Sequence, residues 1–253
     1  MARDNHGISC CALFLQMSDP RCELVGWDTQ FFGFQIARIT ADRLSGTELS
    51  SILLWCGHEN IRCLYWLVGI ADPATVRLAE EHSFHLVDVR VTLETESLAS
   101  HARPSHARIA REDDLPAIIA IARTAYAGSR FYNDPNFTSE QCEDLYATWT
   151  ENSFRGYADR VYVIDADRPA GYITCHYRDG IGSIGLIAVA DWARGRGLGS
   201  ELVSSSLQFF ADSGARTASV VTQGGNISAQ RLYQRCGFLT RSIQLWYHRW
   251  SST

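Results

Sequence analysis

Nowhere in the chain do two cysteines stand in a C-x-x-C spacing, and its eight cysteines are scattered from Cys10 to Cys236. Neither a zinc knuckle nor a disulfide framework is indicated, so no metal is expected, and reduced thiols in a cytoplasm fit the pattern. No apolar run approaches the ~20 residues needed to span a bilayer. The N-terminal ISCCALFLQM is too short, and too weakly flanked by Arg3 and Asp4, for a signal peptide. The expectation is a soluble cytoplasmic protein without a membrane partner. A surplus of positive charge is missing too. At a formal net charge of −5 there is no broad basic surface for a nucleic acid, so any polyanion site must be local. Two phosphate-binding signatures are also absent. No Gly-Lys-Ser/Thr closes a P-loop, and no G-x-G-x-x-G directly follows a strand as in a dinucleotide fold.

What remains is a chain of 253 residues and 46% hydrophobic content, enough for one large domain or two small ones. The stretch from Gly182 to Phe210 organises it. An apolar strand loosens over Ala190 to Ala193 and delivers Arg194, Gly197 and Gly199 as R-x-x-G-x-G before a helix whose buried stripe is Leu202, Val203, Leu207 and Phe210. Glycines at such a turn let the backbone approach a ligand, and the free N–H groups of the first helical turn attract anions, phosphates above all.

The chain divides into three parts. Residues 1–95 read as a small α/β unit. GWDTQFFGFQIARIT is a turn followed by a strand, Thr47 to His58 a helix, Cys63 to Val68 a strand, and Pro73 to His82 a helix. A strand follows in which Val87, Val89, Val91 and Leu93 alternate with Asp88, Arg90, Thr92 and Glu94, giving it one wet face. Residues 96–106 are polar, small and proline-containing, a linker. Residues 107–253 form the larger unit: a strand near Arg108, a helix from Pro116 to Tyr126, and the loop SRFYNDPNF. Next come a helix opened by a Thr138/Gln141 capping box, three strands, the glycine-rich turn and its helix, and a strand at Ala218 to Thr222. A short helix capped by Asn226 and a last strand over Ile243 to His248 complete it. VRLAEEHSF at Val76 to Phe84 echoes QRLYQRCGF at Gln230 to Phe238, at the same offset of 154 residues that separates Arg77 from Arg231. Either the first unit is a half-copy of the second, or both are ordinary amphipathic helices.

The succession from Ala107 onward resembles the GNAT N-acetyltransferase superfamily, carried by R-x-x-G-x-G at Arg194 to Gly199 and by N-x-x-A-x-x-x-Y at Asn226, Ala229 and Tyr233, with Gly237-Phe238 behind it. The resemblance implies an α/β (α+β) GNAT fold, a mixed central sheet flanked by helices, preceded by a smaller N-terminal α/β domain that is a degenerate half-GNAT repeat if the internal echo is real. It implies acetyl-CoA as co-substrate and a small-molecule amine as acceptor, and it leaves a homodimer open. The main-chain amides of Arg194, Gly195, Arg196, Gly197, Leu198, Gly199 and Ser200 would hold the pyrophosphate. Ile187, Ala188 and Val189 would splay from the neighbouring strand and meet the pantetheine arm and the acetyl carbonyl. Asn226 would hydrogen-bond pantetheine. Tyr233 would protonate the leaving sulfur, since a phenol near ~10 can donate to a thiolate whose acid titrates near ~8.5; its bland alternative is a core tyrosine beside Phe238.

A general base is not evident. SIGLIAV contains no acid, and Asp28, Glu94 and Asp134 are candidates that read equally well as solvated or capping carboxylates. WDTQFFG, SRFYNDPNF, LYATWTENSFRG and WYHRW together resemble the two-domain GNAT enzymes that acetylate the 4-amino group of nucleotide-linked deoxysugars, the dTDP-fucosamine acetyltransferase type. On that resemblance Arg130, Phe131 and Tyr132 would face the acceptor, Arg130 or Arg155 would meet a diphosphate, and Trp149 reads as core. Another amine acceptor, or an acyl-CoA-binding sensor without catalysis, stays open.

Overall fold

Alternating Val, Ile, Leu and Tyr build ten short strands that pair into one sheet, in a computed structural model that describes residues 21–98 and 105–251. The N-terminal ISCCALFLQM and most of the expected linker lie outside the described residues. The strands are β1 (Cys22–Leu24), β2 (Ile36–Ile39), β3 (Cys63–Gly69), β4 (His85–Thr95), β5 (Arg108–Ile109), β6 (Arg160–Asp165), β7 (Pro169–Arg178), β8 (Ile181–Val189), β9 (Thr217–Gln223) and β10 (Leu239–Trp250). The described helices are α1 (Gly26–Phe32), α2 (Gly46–His58), α3 (Pro73–Glu81), α4 (Leu115–Ala125), α5 (Ser139–Asn152), α6 (Leu198–Asp212) and α7 (Ile227–Arg235).

Local chemistry explains most of these boundaries. Ser45 and Glu48 form a reciprocal capping box at α2, and Thr138 with Gln141 does the same at α5, so two orphan N–H groups are satisfied at each start. The expected turn at GWDTQFF is instead α1. Asp28 sits in its first turn, and Gly33, at φ 78°, closes it by donating its N–H to the Thr29 carbonyl, an end that a residue with a Cβ would strain. The last strand is longer than expected, running from Leu239 to Trp250, because it has a partner on each side.

Those partners come from the first half of the chain. The sheet order is β1-β2-β3-β10-β4-β9-β8-β7-β6-β5, so the C-terminal strand lies between β3 and β4, and β4 in turn lies between β10 and β9. Two parallel β-α-β units, β3-α3-β4 and β9-α7-β10, have each accepted the other's last strand. They correspond at the 154-residue offset. Asp72 caps α3 by accepting from Thr75 N–H, and Asn226 caps α7 by accepting from Ala229 N–H. Ser83 and Gly237 both take positive φ after their helices, and Phe84 and Phe238 are both buried behind them. Ala79 in one unit stands where Tyr233 stands in the other.

One face of the sheet carries α2 and α3 over the first half and α6 and α7 over the second. On the opposite face α1, α4 and α5 bury a single aromatic-rich core in which Phe32, Tyr65, Phe131, Phe137 and Tyr172 from both halves meet. At 25 cal/mol per Å² of apolar surface, a core drawing on both halves ties them together far more firmly than a linker could.

Candidate active site

The ladder between β8 and β9 runs from Ile181↔Thr217 to Ile184↔Val220 and stops, although both strands continue. Beyond that point β8 holds only its other neighbour, β7. Ala190 N–H donates to the Ala170 carbonyl (2.8 Å), and Gly171↔Val189 and Ile173↔Ile187 are the intervening pairs. Antiparallel alternation therefore turns the N–H groups of Ile187 and Val189 away from β7 and into the gap. A register shift between Ile173 and Cys175 bends β8 at this place, where Leu186 N–H donates to Thr174 Oγ1 instead of to the ladder.

The gap opens into a cleft of about 1240 Å³. One wall is the turn after β8. Gly195 (φ 79°) and Gly197 (φ 83°) both lie in the left-handed region, and adding a Cβ to either would meet nothing, so their use is conformational. Gly199 serves packing instead: a Cβ there would come within 3.2 Å of Leu232 on α7. The N–H groups of Gly195 to Gly199 have no acceptor among the described residues, whereas those of Ser200 and Glu201 are taken by the Gly197 carbonyl. Five free main-chain donors at the start of a 15-residue helix make an anion cradle. Arg194 lies across its lip, its Nη2 2.8 Å from Asp191 and its Nε donating to the Val189 carbonyl. Arg196 is exposed and its side chain is not on the cleft wall.

The second wall is α7. Asn226 lines the cleft while its Oδ1 accepts from Ala229 N–H (3.1 Å) and Ser228 Oγ (2.9 Å), which leaves its amide NH₂ for a ligand. Tyr233 also lines it. The ring is 2% exposed and packs against Phe238, and its hydroxyl has no hydrogen-bond partner among the described residues. Burial, with a smaller contribution from Cys236, pushes the phenol well above its usual range, so it carries its proton throughout the neutral range. The core and cleft descriptions of Tyr233 thus both apply: the ring is packed and the oxygen has no partner.

The third wall is Asp88, which the sequence placed on a wet strand face. Because β4 is inserted between β10 and β9, that face lies under the loop after α4 and not in bulk water. Gly224 permits the close approach: its N–H donates to the Val89 carbonyl (2.6 Å), and a Cβ would sit 2.7 Å from the Val89 Cβ. Burial raises the Asp88 carboxyl to about 6, against the opposing pull of Val89 N–H (2.7 Å), the Arg130 charge and the Arg130 backbone N–H. Asp88 and Gln223 form a sill shared with a second cavity of about 110 Å³, lined by Arg90, Ser129, Arg130, Phe131, Tyr146 and Trp149 among others. The three carboxylates that the sequence offered only as candidate bases lie elsewhere. Glu94 pairs with Arg241, and Asp28 is buried 3.9 Å from Arg130. Asp134 accepts from His248 Nδ1 (2.7 Å), Trp250 Nε1 (2.9 Å) and Asn136, hydrogen bonds that outweigh burial and hold it at about 2.

That last network fixes the loop after α4. Burial keeps the His248 ring neutral, lowered to about 4, so Nδ1–H donates to Asp134 and Nε2 accepts from Arg130 Nη1 (2.8 Å). The Arg130 guanidinium lies 4.3 Å from the Tyr65 ring, 4.1 Å from Phe131 and 4.5 Å from Trp246. Arg130 and Phe131 therefore reach the small cavity from a locked position, and Phe131 is otherwise core. Tyr132 turns to the Arg123 carbonyl (3.4 Å) and lines neither cavity. Arg155 is held at the surface by Glu112.

A parted strand pair beside an anion cradle is matched by a family model: residues 124–238 fit the acetyltransferase (GNAT) family. The chain contains a GNAT acetyltransferase domain. It is 28% identical over 233 residues to a dTDP-fucosamine acetyltransferase of Escherichia coli, covering 90% of this chain and 97% of that protein. It is also 28% identical over 138 residues to the spore coat polysaccharide biosynthesis protein SpsD of Bacillus subtilis, 54% of this chain and 48% of that one. The fold aligns with the GCN5-related N-acetyltransferase from Sphaerobacter thermophilus at a TM-score of 0.63 and 16% identity, over 90% of this chain and 76% of the other. The domain at residues 124–238 is an acetyltransferase domain of the GNAT type and uses the fold described above. Among the described residues no helix is long and apolar enough to cross a membrane, and no three His, Cys, Asp or Glu side chains are placed to hold a metal.

Proposed function

We propose that the protein transfers the acetyl group of acetyl-CoA to the primary amine of an amino sugar carried on a nucleotide, by direct attack of the bound amine. The observation that carries this reading is the opening between β8 and β9, with free N–H donors along one side and, on the others, two acids that burial raises alike, one ionised and one still protonated at pH 7. The free donors of Gly195 to Gly199 suit a pyrophosphate, the Asn226 amide suits an amide-bearing arm, and the N–H groups of Ile187 and Val189 point to where a carbonyl oxygen would gain charge.

Asp88 and Tyr233 then divide the proton work. Asp88, at about 6, is ionised at pH 7 yet basic enough to take a proton from an ammonium, directly or through one water. Its position on the sill between the cleft and the smaller cavity puts it where an acceptor amine would meet the acyl carbon. Tyr233 keeps its proton through the neutral range and can give it to the departing thiolate. The dTDP-fucosamine acetyltransferase similarity, covering nearly the whole of both chains, supports the amino sugar as acceptor.

The test is thiol release from acetyl-CoA with dTDP-linked 4-amino-4,6-dideoxygalactose, the same sugar without its nucleotide, a polyamine and an aminoglycoside. Turnover highest with the nucleotide-linked sugar is expected. Preference for another amine would move the acceptor class, and tight coenzyme binding without turnover on any amine would replace the enzyme reading with a sensor.

A further inference from the structure

The small cavity that shares Asp88 with the cleft also holds a guanidinium, that of Arg90, which pairs with no carboxylate among the described residues. Arg90 stands two residues after Asp88 on the same face of β4, paired in register with Gln223 of β9 and Gln244 of β10. Its Nε is shielded from solvent and has no hydrogen-bond partner, and no carboxylate pairs with the guanidinium among the described residues. The charges that reach it are of its own sign, Arg38 and Arg130, and with burial they push its pKa down. The other guanidiniums nearby are compensated. Arg38 is paired with Glu23, and Arg130 has His248, three aromatic rings and Asp28. Arg160, whose Nε is also unpaired, lies over the Phe209 ring at 5.3 Å. Arg90 has no such ring contact among the described residues. Beside it in the same cavity, Ser129 Oγ is likewise shielded and makes no hydrogen bond.

A desolvated guanidinium facing like charges costs stability unless something negative binds there. We infer that Arg90 receives an anionic group of the acceptor, a phosphate or diphosphate borne on the side of the sugar away from the amine, and so selects phosphorylated amino sugars. Ser129 Oγ adds a neutral donor, and Tyr146 and Trp149 supply aromatic faces on the same wall. The inference rests on the acetyl-transfer reading only for the direction in which the amine points. The charge argument stands without it.

The experiment uses the full chain saturated with coenzyme A, so that the cradle at Gly195 to Gly199 is filled and cannot take a second diphosphate. Binding of dTDP, and of inorganic pyrophosphate as the bare anion, is measured by calorimetry. Wild type should bind both, more weakly as salt rises. Arg90→Gln should weaken dTDP about 10- to 100-fold, the range for a charge-assisted hydrogen bond, and Arg90→Lys should recover part of the loss. Coenzyme A affinity should stay the same in both. A structural role would lower the melting temperature; relief of an unpaired charge should make Arg90→Met melt higher than wild type in the absence of ligand. Wild-type dTDP affinity in Arg90→Gln, no dTDP binding to the coenzyme-loaded wild type, or a lower melting temperature in Arg90→Met would each overturn the assignment. Failure of coenzyme A to bind wild type would sink the acetyl-transfer reading instead, and dTDP titrated into the unloaded protein would then still score Arg90.

Discussion

Replacing Asp88 by asparagine removes the proposed base while preserving its shape, and the structure fixes what should follow. A general base contributes on the order of 10²- to 10⁴-fold, so kcat/KM for the amine at pH 7 should fall by about 10²-fold or more while the KM for acetyl-CoA stays within about twofold, because the proposed site would hold that ligand at the far walls. The wild-type profile should show an acid limb near pH 6, where the Asp88 carboxyl takes up its proton, and that limb should vanish in Asp88→Asn. The deficit should shrink as pH rises, since an amine already neutral in solution needs no base. Stability gives an independent reading. The folded carboxyl is raised from 3.8 to about 6, so the native state is favoured by protonation, and that advantage is lost as pH climbs through 6. A shift of about two units is about 3 kcal/mol at full weight; with a half-buried carboxyl, about 1–2 kcal/mol is expected after solvent screening. Asp88→Asn should therefore be the more stable protein in urea at pH 8 and gain nothing at pH 3.5. A mutant that keeps the acid limb near 6 and its turnover would refute the role.

Tyr233→Phe should lower kcat about 10²-fold or more with acetyl-CoA affinity retained, as measured by turnover and calorimetry; an unchanged kcat would leave Tyr233 as packing alone. Gly197→Glu brings a carboxylate into the cradle at a φ of 83° and should weaken acetyl-CoA by more than about 100-fold, whereas unchanged calorimetric affinity would place the coenzyme elsewhere. His248 is neutral when folded, near 4 against an ordinary 6.5, so the unfolded chain takes up the proton first and stability should fall by up to about 3 kcal/mol as pH drops from 6.5 to 4. Urea melts of His248→Gln should flatten that limb, and Asp88→Asn, which removes a term of opposite sign between pH 6 and 3.8, should steepen it. Residues 105–251 expressed alone lack β4 and should fail to fold, regaining a coenzyme-binding state when coexpressed with residues 21–98. A cooperative melt of the shorter piece by itself would contradict the sheet order.

Much of this fold is legible in the chain because its local signals agree. Capping at Ser45 and Thr138, Pro73 in a first turn, and the glycines of the turn after Val189 each fix a boundary from a few neighbouring residues. The short α1 escapes because its seven residues carry no side-chain cap, and Gly33 reads equally well as a turn. Asp88 and Arg90 escape for a different reason. Alternation along β4 reports that one face is polar, but whether that face meets bulk water or a cleft depends on which strands lie beside it. Those partners, β9 and β10, come from more than a hundred residues later. Arg130 shows the converse, since its place in the loop SRFYNDPNF says nothing of the rings of Tyr65 and Trp246 that confine it.

The exchange of β4 and β10 also bears on why the two acids differ. Tyr233 belongs to the second β-α-β unit and Asp88 to the first, so neither unit alone holds both. Ala79, the counterpart of Tyr233, is fully buried on the inner face of α3 in a unit that lacks the R-x-x-G-x-G turn. With β4 pressed against β9 through Gly224, the carboxyl of one unit faces a cleft opened by the other, and it is buried enough there for desolvation to raise it. A carboxylate on an edge strand would stay solvated near 4 and be too weak a base for an amine. The interleaved sheet thereby does two things with one strand: it closes the core between the halves, and it tunes the residue that would take the proton.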